Sequence, residues 1–137
     1  MTVADLIAKH EGTRLFPYTD TIGKLTIGVG RNLTDVGISQ DESDMLLTND
    51  LDRARTGIAE AWPPFAQLDE VRQAVIEDMA FNMGVEGLLG FHGTLAAVAA
   101  GNWQAAHDGM LASKWAGQVG VRAIEDAQMM LTGQWPE

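Results

Sequence analysis

The chain contains no cysteine. That excludes a disulfide framework and any thiolate metal site, so the folded state rests on packing alone in either redox compartment. It also lacks any uninterrupted apolar run near the roughly 18 residues that cross a bilayer, and it begins without the basic start and apolar segment of a secretion signal. Positive charge is scarce: nine Lys and Arg stand against nineteen Asp and Glu, for a net charge of −10. Nine scattered cations form no track for a phosphate backbone, which argues against nucleic acid as a partner. His10, His92 and His107 share no metal-ligand spacing. Gly28-Val29-Gly30 is too short for a dinucleotide-binding fingerprint, and there are no internal repeats.

What is present is an ordinary globular composition, 46% hydrophobic and 20% charged over 137 residues, enough for one domain with a core and two small lobes. The four tryptophans and seven methionines read as core or cleft packing. Thr2 to Asp5 matches a capping box that opens a short helix, with Val3, Leu6, Ile7 and His10 on one face and Gly12 at its end. A hairpin follows. Leu25, Ile27 and Val29 alternate to one face, leaving Thr26, Gly28 and Gly30 on a face with little side chain, against which a ligand can lie. Ser39 and Glu42 form a second capping box that opens a long helix with a buried stripe at Leu47, Leu51, Ala54 and Ile58, ended by Pro63 and Pro64.

From Leu68 to Met83 the chain is apolar on more than one side, which predicts a helix covered by neighbours all round, with Asp78 and Asn82 as polar members that need partners. Gly84, Gly87, Gly90 and Gly93 predict short turns. A small helix over Thr94 to Ala100 precedes one capped by Asn102, with Trp103, Ala106, Met110 and Leu111 inward. A flexible Gly-Gln-Val-Gly turn then leads to a last helix with Val121, Ile124 and Leu131 on its core side.

Chemistry concentrates in Glu11 to Gly30, where Glu11, Asp20 and Thr26 follow the pattern E-x8-D-x5-T. Glu11 closes a helix, at the negative end of its dipole, where the neutral acid is favoured, while Arg14 pulls the other way. Asp20 opens a polar turn whose backbone NH groups favour the anion. An acid kept protonated beside one kept ionised is the pairing that cleaves a glycosidic bond. Each residue alone has an ordinary reading as a solvated helix end, the first position of a type I turn closed by Gly23, or a common strand residue. The joint spacing says more than any one of them.

With its flanking residues, this run resembles the phage-type lysozymes, the endolysin family of glycoside hydrolases. Further landmarks occur in the family's order: Phe81-Asn82-Met83-Gly84, Gly90-Phe91, Trp103, Ser113-Lys114-Trp115, Arg122 and Thr132-Gly133-Gln134-Trp135. The resemblance implies an α+β, mostly helical, two-lobed fold with a small N-terminal β-hairpin sheet and a helical C-terminal lobe. Within one domain of residues 1–137, it puts an active-site lobe at about 12–60, and a helical lobe at about 61–137 together with the first helix, 1–11. It implies a muramidase that hydrolyses the β-1,4 bond between N-acetylmuramic acid and N-acetylglucosamine with inversion. Glu11 is then the general acid, Asp20 stabilises developing positive charge and helps activate water, and Thr26 holds that water. Inversion calls for carboxyl groups roughly 6.5 to 9.5 Å apart. Gly28, Gly30, Asn32, Phe81, Asn82, Thr94 and Arg122 are the expected substrate-binding residues, Arg122 reaching across the cleft toward Glu11.

No metal or organic cofactor is implied. The expected partner is a peptidoglycan glycan strand, met by a monomer without nucleic acid or stable membrane insertion. The chain is expected to be made in the host cytoplasm and to act on the wall after release by a holin-like membrane permeabiliser. It departs from the family at Arg31, where a histidine is usual, for which a rearranged ion pair with activity retained is expected. It also stops at Glu137, soon after Trp135. Its acidity gives no electrostatic adhesion to wall carboxylates and phosphates. Two rival readings stand beside this one, a non-catalytic wall-binding module and a structural virion component. The intact Glu11, Asp20 and Thr26 argue against the first.

Overall fold

Thr2 opens the first helix as its residue type and spacing foretell. In the computed structural model, which describes residues 1–137, its hydroxyl accepts from the Asp5 amide at 3.1 Å while the Asp5 carboxylate accepts from the Thr2 amide at 2.7 Å. Helix α1 (Val3–Glu11) ends at Gly12, whose φ of 76° suits a residue without a Cβ. Three antiparallel strands follow in the order β1 (Arg14–Thr19), β2 (Leu25–Gly28) and β3 (Arg31–Asn32). Tyr18 pairs with Thr26 and Thr19 with Leu25, but the register shifts between Arg14 and Tyr18. Pro17, which has no amide hydrogen to offer a ladder, lies in that irregular stretch.

Helix α2 (Gln40–Ala61) begins with the expected Ser39–Glu42 box, the Glu42 amide donating to Ser39 Oγ at 3.1 Å. Arg31 donates to the Glu42 carboxylate at 2.7 Å, tying β3 to the start of α2. Arg31 thus has the ion pair anticipated for it. The Arg31 bond, with the Ser39 amide, holds the Glu42 carboxyl down to about 2. The chain is 66% helical with this one small sheet, which is the α+β class expected.

Two compact units divide the chain, Met1–Leu46 and Leu47–Glu137. The division falls inside α2, and α1 lies in the first unit. In the first unit only Thr26 is fully buried, and Val3, Leu15, Phe16 and Ile22 remain exposed.

The second unit continues through a short 3₁₀ turn at Pro63–Gln67 to α3 (Glu70–Leu89), α4 (His92–Ala99), α5 (Trp103–Leu111), α6 (Lys114–Val119) and α7 (Val121–Thr132). Its core joins Ile58, Val75, Ile76, Met79, Leu88, Val98, Met110 and Met130. The all-round burial expected of α3 holds for Val71, Val75, Ile76, Met79 and Ala80. Of the α2 stripe only Ile58 is fully buried, and Leu47 is half exposed.

Three further expectations need correction. Gly84 (φ 80°, ψ 161°) kinks α3, but the helix then resumes to Leu89, so the glycines do not make a series of turns. Gly117, Gln118 and Val119 belong to α6, which Ser113 caps through the Ala116 amide at 3.2 Å and Gly120 ends at φ 60°. On α7 Val121 and Ile124 are 72% and 62% exposed, and the core side is Ala123, Ala127 and Met130. Alanines let α7 lie close to α3 and α5, which the larger Val and Ile would hold away.

Arg72 fastens the end of α7. Its guanidinium donates to the Met130 and Leu131 carbonyls at 2.8 and 3.1 Å, pairs with Asp69 at 3.2 Å and lies 3.9 Å over the Trp103 ring. Arg72→Ala leaves last-turn carbonyls unpaired and strips the ring contact, so a loss of about 2–4 kcal/mol is expected in urea denaturation. Unchanged stability would contradict that role.

Candidate active site

Asp20 is set by the β1–β2 turn. The Gly23 amide donates to its carbonyl at 3.1 Å, and the Ile22 and Lys24 amides donate to its side-chain Oδ1 at 3.0 and 2.8 Å. The turn foreseen from Asp20 and Gly23 is therefore present, and two backbone donors fix the carboxylate's direction. Thr26 lies on β2, between Tyr18 of β1 and Asn32 of β3. It is 3% exposed, so its side of the sheet is covered at this point and not bare as expected. Its hydroxyl donates to the Lys24 carbonyl at 3.0 Å, which leaves the oxygen free to accept.

Gly28 and Gly30 bracket the β2–β3 connection, both with φ of 68°. Glu11 lies against the second of them: a Cβ placed on Gly30 would be 3.4 Å from Glu11 Oε2. Helix α1 thus delivers the Glu11 carboxyl to the loop joining the strands that carry Thr26 and Asn32. Asn32 itself is turned to the next loop, its amide donating to the Asp35 carboxylate at 2.9 Å and its Oδ1 accepting from the Asp35 amide at 2.9 Å. Arg14 stacks on Tyr18, 4.3 Å from the ring centroid.

The remaining candidates belong to the second unit. Phe81, 47% exposed, and Arg122 line a pocket of about 290 Å³ with Leu47, Leu51, Glu77 and Asp78. Asn82 is exposed, its Oδ1 accepting from Trp115 Nε1 at 2.9 Å, while Trp115 meets Phe91 edge-on. Thr94 is buried, with its hydroxyl turned toward Gly109. A larger concavity of about 490 Å³, along α7 and the tail at Trp135, contains none of the candidates.

Charge in the second unit is organised on Arg122. Its Nε and Nη2 donate to the two oxygens of Asp78 at 3.0 and 2.7 Å. Burial opposes ionisation of Asp78, yet the Arg122 and Asp126 hydrogen bonds hold its carboxyl below the usual range. Asp126 is the functional candidate that sequence reading missed. Burial, then the hydrogen bond and charge of Asp78, push it up to about 8. Only its spacing, four residues after Arg122 on one helix face, hinted that the two share an environment. Nearby, Glu77 pairs with Arg55 at 2.6 Å.

A sequence model of the phage lysozyme family matches residues 8–126, an interval that holds Glu11, Asp20, Thr26 and the Arg122 cluster. The pre-baseplate central spike protein Gp5 of Enterobacteria phage T4 is 29% identical across 97% of this chain and 28% of its own length. The probable T4-type lysozyme 1 of Dictyostelium discoideum is 27% identical across 96% of this chain and 95% of its own length. The chain therefore spans a minor part of the spike protein and nearly all of the second relative.

Proposed function

The chain belongs to the phage lysozyme family, and on that premise we propose that it is a muramidase cleaving the β-1,4 bond between N-acetylmuramic acid and N-acetylglucosamine. The observation that carries this is the placement of the E-x8-D-x5-T residues around one small sheet, with Glu11 of α1 against Gly30, Asp20 held in the β1–β2 turn and Thr26 on β2. Glu11 protonates the departing glycosidic oxygen. Asp20 balances the positive charge that develops on the sugar ring and draws a proton from water. Thr26 has given its own hydrogen to Lys24, so it meets that water as an acceptor, orienting the lone pair toward the anomeric carbon. Attack from the face opposite the leaving group inverts the configuration.

Phe81 offers an aromatic face, and Arg122 a cationic edge, to the sugars and peptide carboxylates of the wall. We assign release to a membrane-permeabilising partner and action to a monomer on the glycan strand. Incubation with purified peptidoglycan tests the reading: new reducing ends accumulate if it is right, and none if the chain only binds walls. The anomer formed first, read by proton NMR, tests inversion. The likeness to a spike protein favours one second reading, that this domain works as part of a virion. Co-purification with phage particles would support it.

A further inference from the structure

Asp126 is a carboxylic acid inside a helical bundle, and the muramidase chemistry has no use for it. It is 5% exposed, and its Oδ2 is enclosed with no hydrogen-bond partner. The carboxyl group that bears on it is Asp78 of α3, which is bound by Arg122, one helical turn before Asp126 on α7. Two carboxyl groups share a hydrogen bond only if one of them carries a proton. Asp78 is already the acceptor of a two-pronged Arg122 fork, a geometry that belongs to the anion. A proton held between the two carboxyl groups therefore belongs on Asp126. One proton, two carboxyl groups and one guanidinium then sum to a neutral cluster, which a buried site tolerates where a lone extra anion is costly.

The charges acting on Asp126 are Asp78 from α3, and Arg122 and Glu125 from its own helix. Of the helices packed on α7, α3 also carries Arg72, committed to Asp69 and the Met130 and Leu131 carbonyls, and Glu77, paired with Arg55; α5 carries His107 and Asp108, which pair with each other, and α6 carries Lys114. Nothing basic replaces Arg122 if the cluster loses its proton. The ionised pair would divide one guanidinium between two anions, and the fork on Asp78 would loosen.

Asp78 and Arg122 line the pocket that also holds Phe81. We infer that Asp126 is a positioning residue for substrate binding: it donates a hydrogen bond to Asp78, and this carboxyl pair holds the Arg122 guanidinium at the pocket wall. The inference rests on the muramidase reading for the word substrate, but not for the proton or the fork. Asp126 touches no substrate. It acts two bonds away, so its loss should change binding and leave the chemical step alone.

Two replacements separate the roles. Asp126→Asn keeps a donor for Asp78 but cannot ionise, and Asp126→Leu fills the site with neither donor nor charge. For wild type acting on soluble glycan fragments, KM is expected to stay level at neutral pH and rise as the pH passes about 8, while the kcat profile, set by Glu11 and Asp20, matches that of Asp126→Asn. Asp126→Asn should abolish that rise. Asp126→Leu should raise KM about three- to tenfold at every pH, the size of one lost hydrogen bond. Because the folded carboxyl is raised above its ordinary value, stability is complete below about 4 and declines as pH rises toward 8. Thermal unfolding of Asp126→Asn should lack that decline.

Carbon NMR of the Asp126 carboxyl and nitrogen NMR of Arg122 Nε decide the matter without activity. The expected result is a carboxyl titration near pH 8, with the Arg122 signal broadening through the same range. A carboxyl titrating in the ordinary range, or identical KM profiles for wild type and Asp126→Asn, would overturn the inference. Should the wild type cleave no wall at all, the muramidase reading fails, while the NMR titration still judges the Asp126–Asp78–Arg122 chain by itself.

Discussion

Glu11→Gln is expected to slow wall cleavage by about 10³-fold, within the range a positioned general acid contributes. The amide has the size and shape of the acid, so it still fits against Gly30 at the end of α1. It cannot surrender a proton to the leaving oxygen. The side chain is exposed and supports no core contact, so circular dichroism and denaturation midpoints should match wild type. That separation of activity from stability gives the experiment its force. Equal cleavage by variant and wild type would remove Glu11 from the mechanism.

Asp20→Asn is expected to cost about 10²- to 10³-fold in cleavage, again with the fold intact. Its Oδ1 still accepts from the Ile22 and Lys24 amides, so the turn survives. What disappears is the negative charge that faces the developing oxocarbenium ion and takes up the proton of water. Asp20→Ala removes the acceptor too, and should add a stability loss of about 1 kcal/mol from the two unpaired amides near the surface. If Asn and Ala variants were equally inactive and equally destabilised, the contribution of Asp20 would be the turn and not its charge.

Local signals in the sequence were reliable where the interaction itself is local. Both capping boxes, at Thr2–Asp5 and Ser39–Glu42, close over three residues, and the Asp20–Gly23 turn does the same. The apolar α3 was recognisable because Val71, Val75, Ile76, Met79 and Ala80 fall on more than one of its sides. The failures are all tertiary. Ala123 and Ala127 carry the core side of α7, while Val121 and Ile124, which rank higher in hydrophobicity, face outward. Close helix approach selects for small residues, and a single sequence does not announce how near the neighbour lies. Glycines misled for a related reason. Gly87 lies within α3 where a Cβ would come to 2.9 Å from Met83, so it serves packing, whereas Gly84 and Gly120 hold the left-handed backbone that ends or bends a helix.

The candidate site divides along the same line. Glu11, Asp20 and Thr26 lie within one short stretch, and their places at the end of α1, in the hairpin turn and on β2 follow from local structure. Asn82 and Thr94 have neighbours that only the fold reveals, Trp115 and Gly109, whereas Asn32 closes on Asp35 three residues on. Asp126 was the least legible, since an aspartate in a polar helix reads as solvated, and its burial depends on Asp78, which lies far away in sequence on α3.

Mass spectrometry of peptidoglycan digested by the protein and then reduced with borohydride tests the central claim most directly. Hydrolysis by Glu11 with Asp20 predicts fragments ending in N-acetylmuramitol, absent from a parallel digest with Glu11→Gln. Fragments ending in reduced N-acetylglucosamine, or in a non-reducible anhydro sugar, would contradict it.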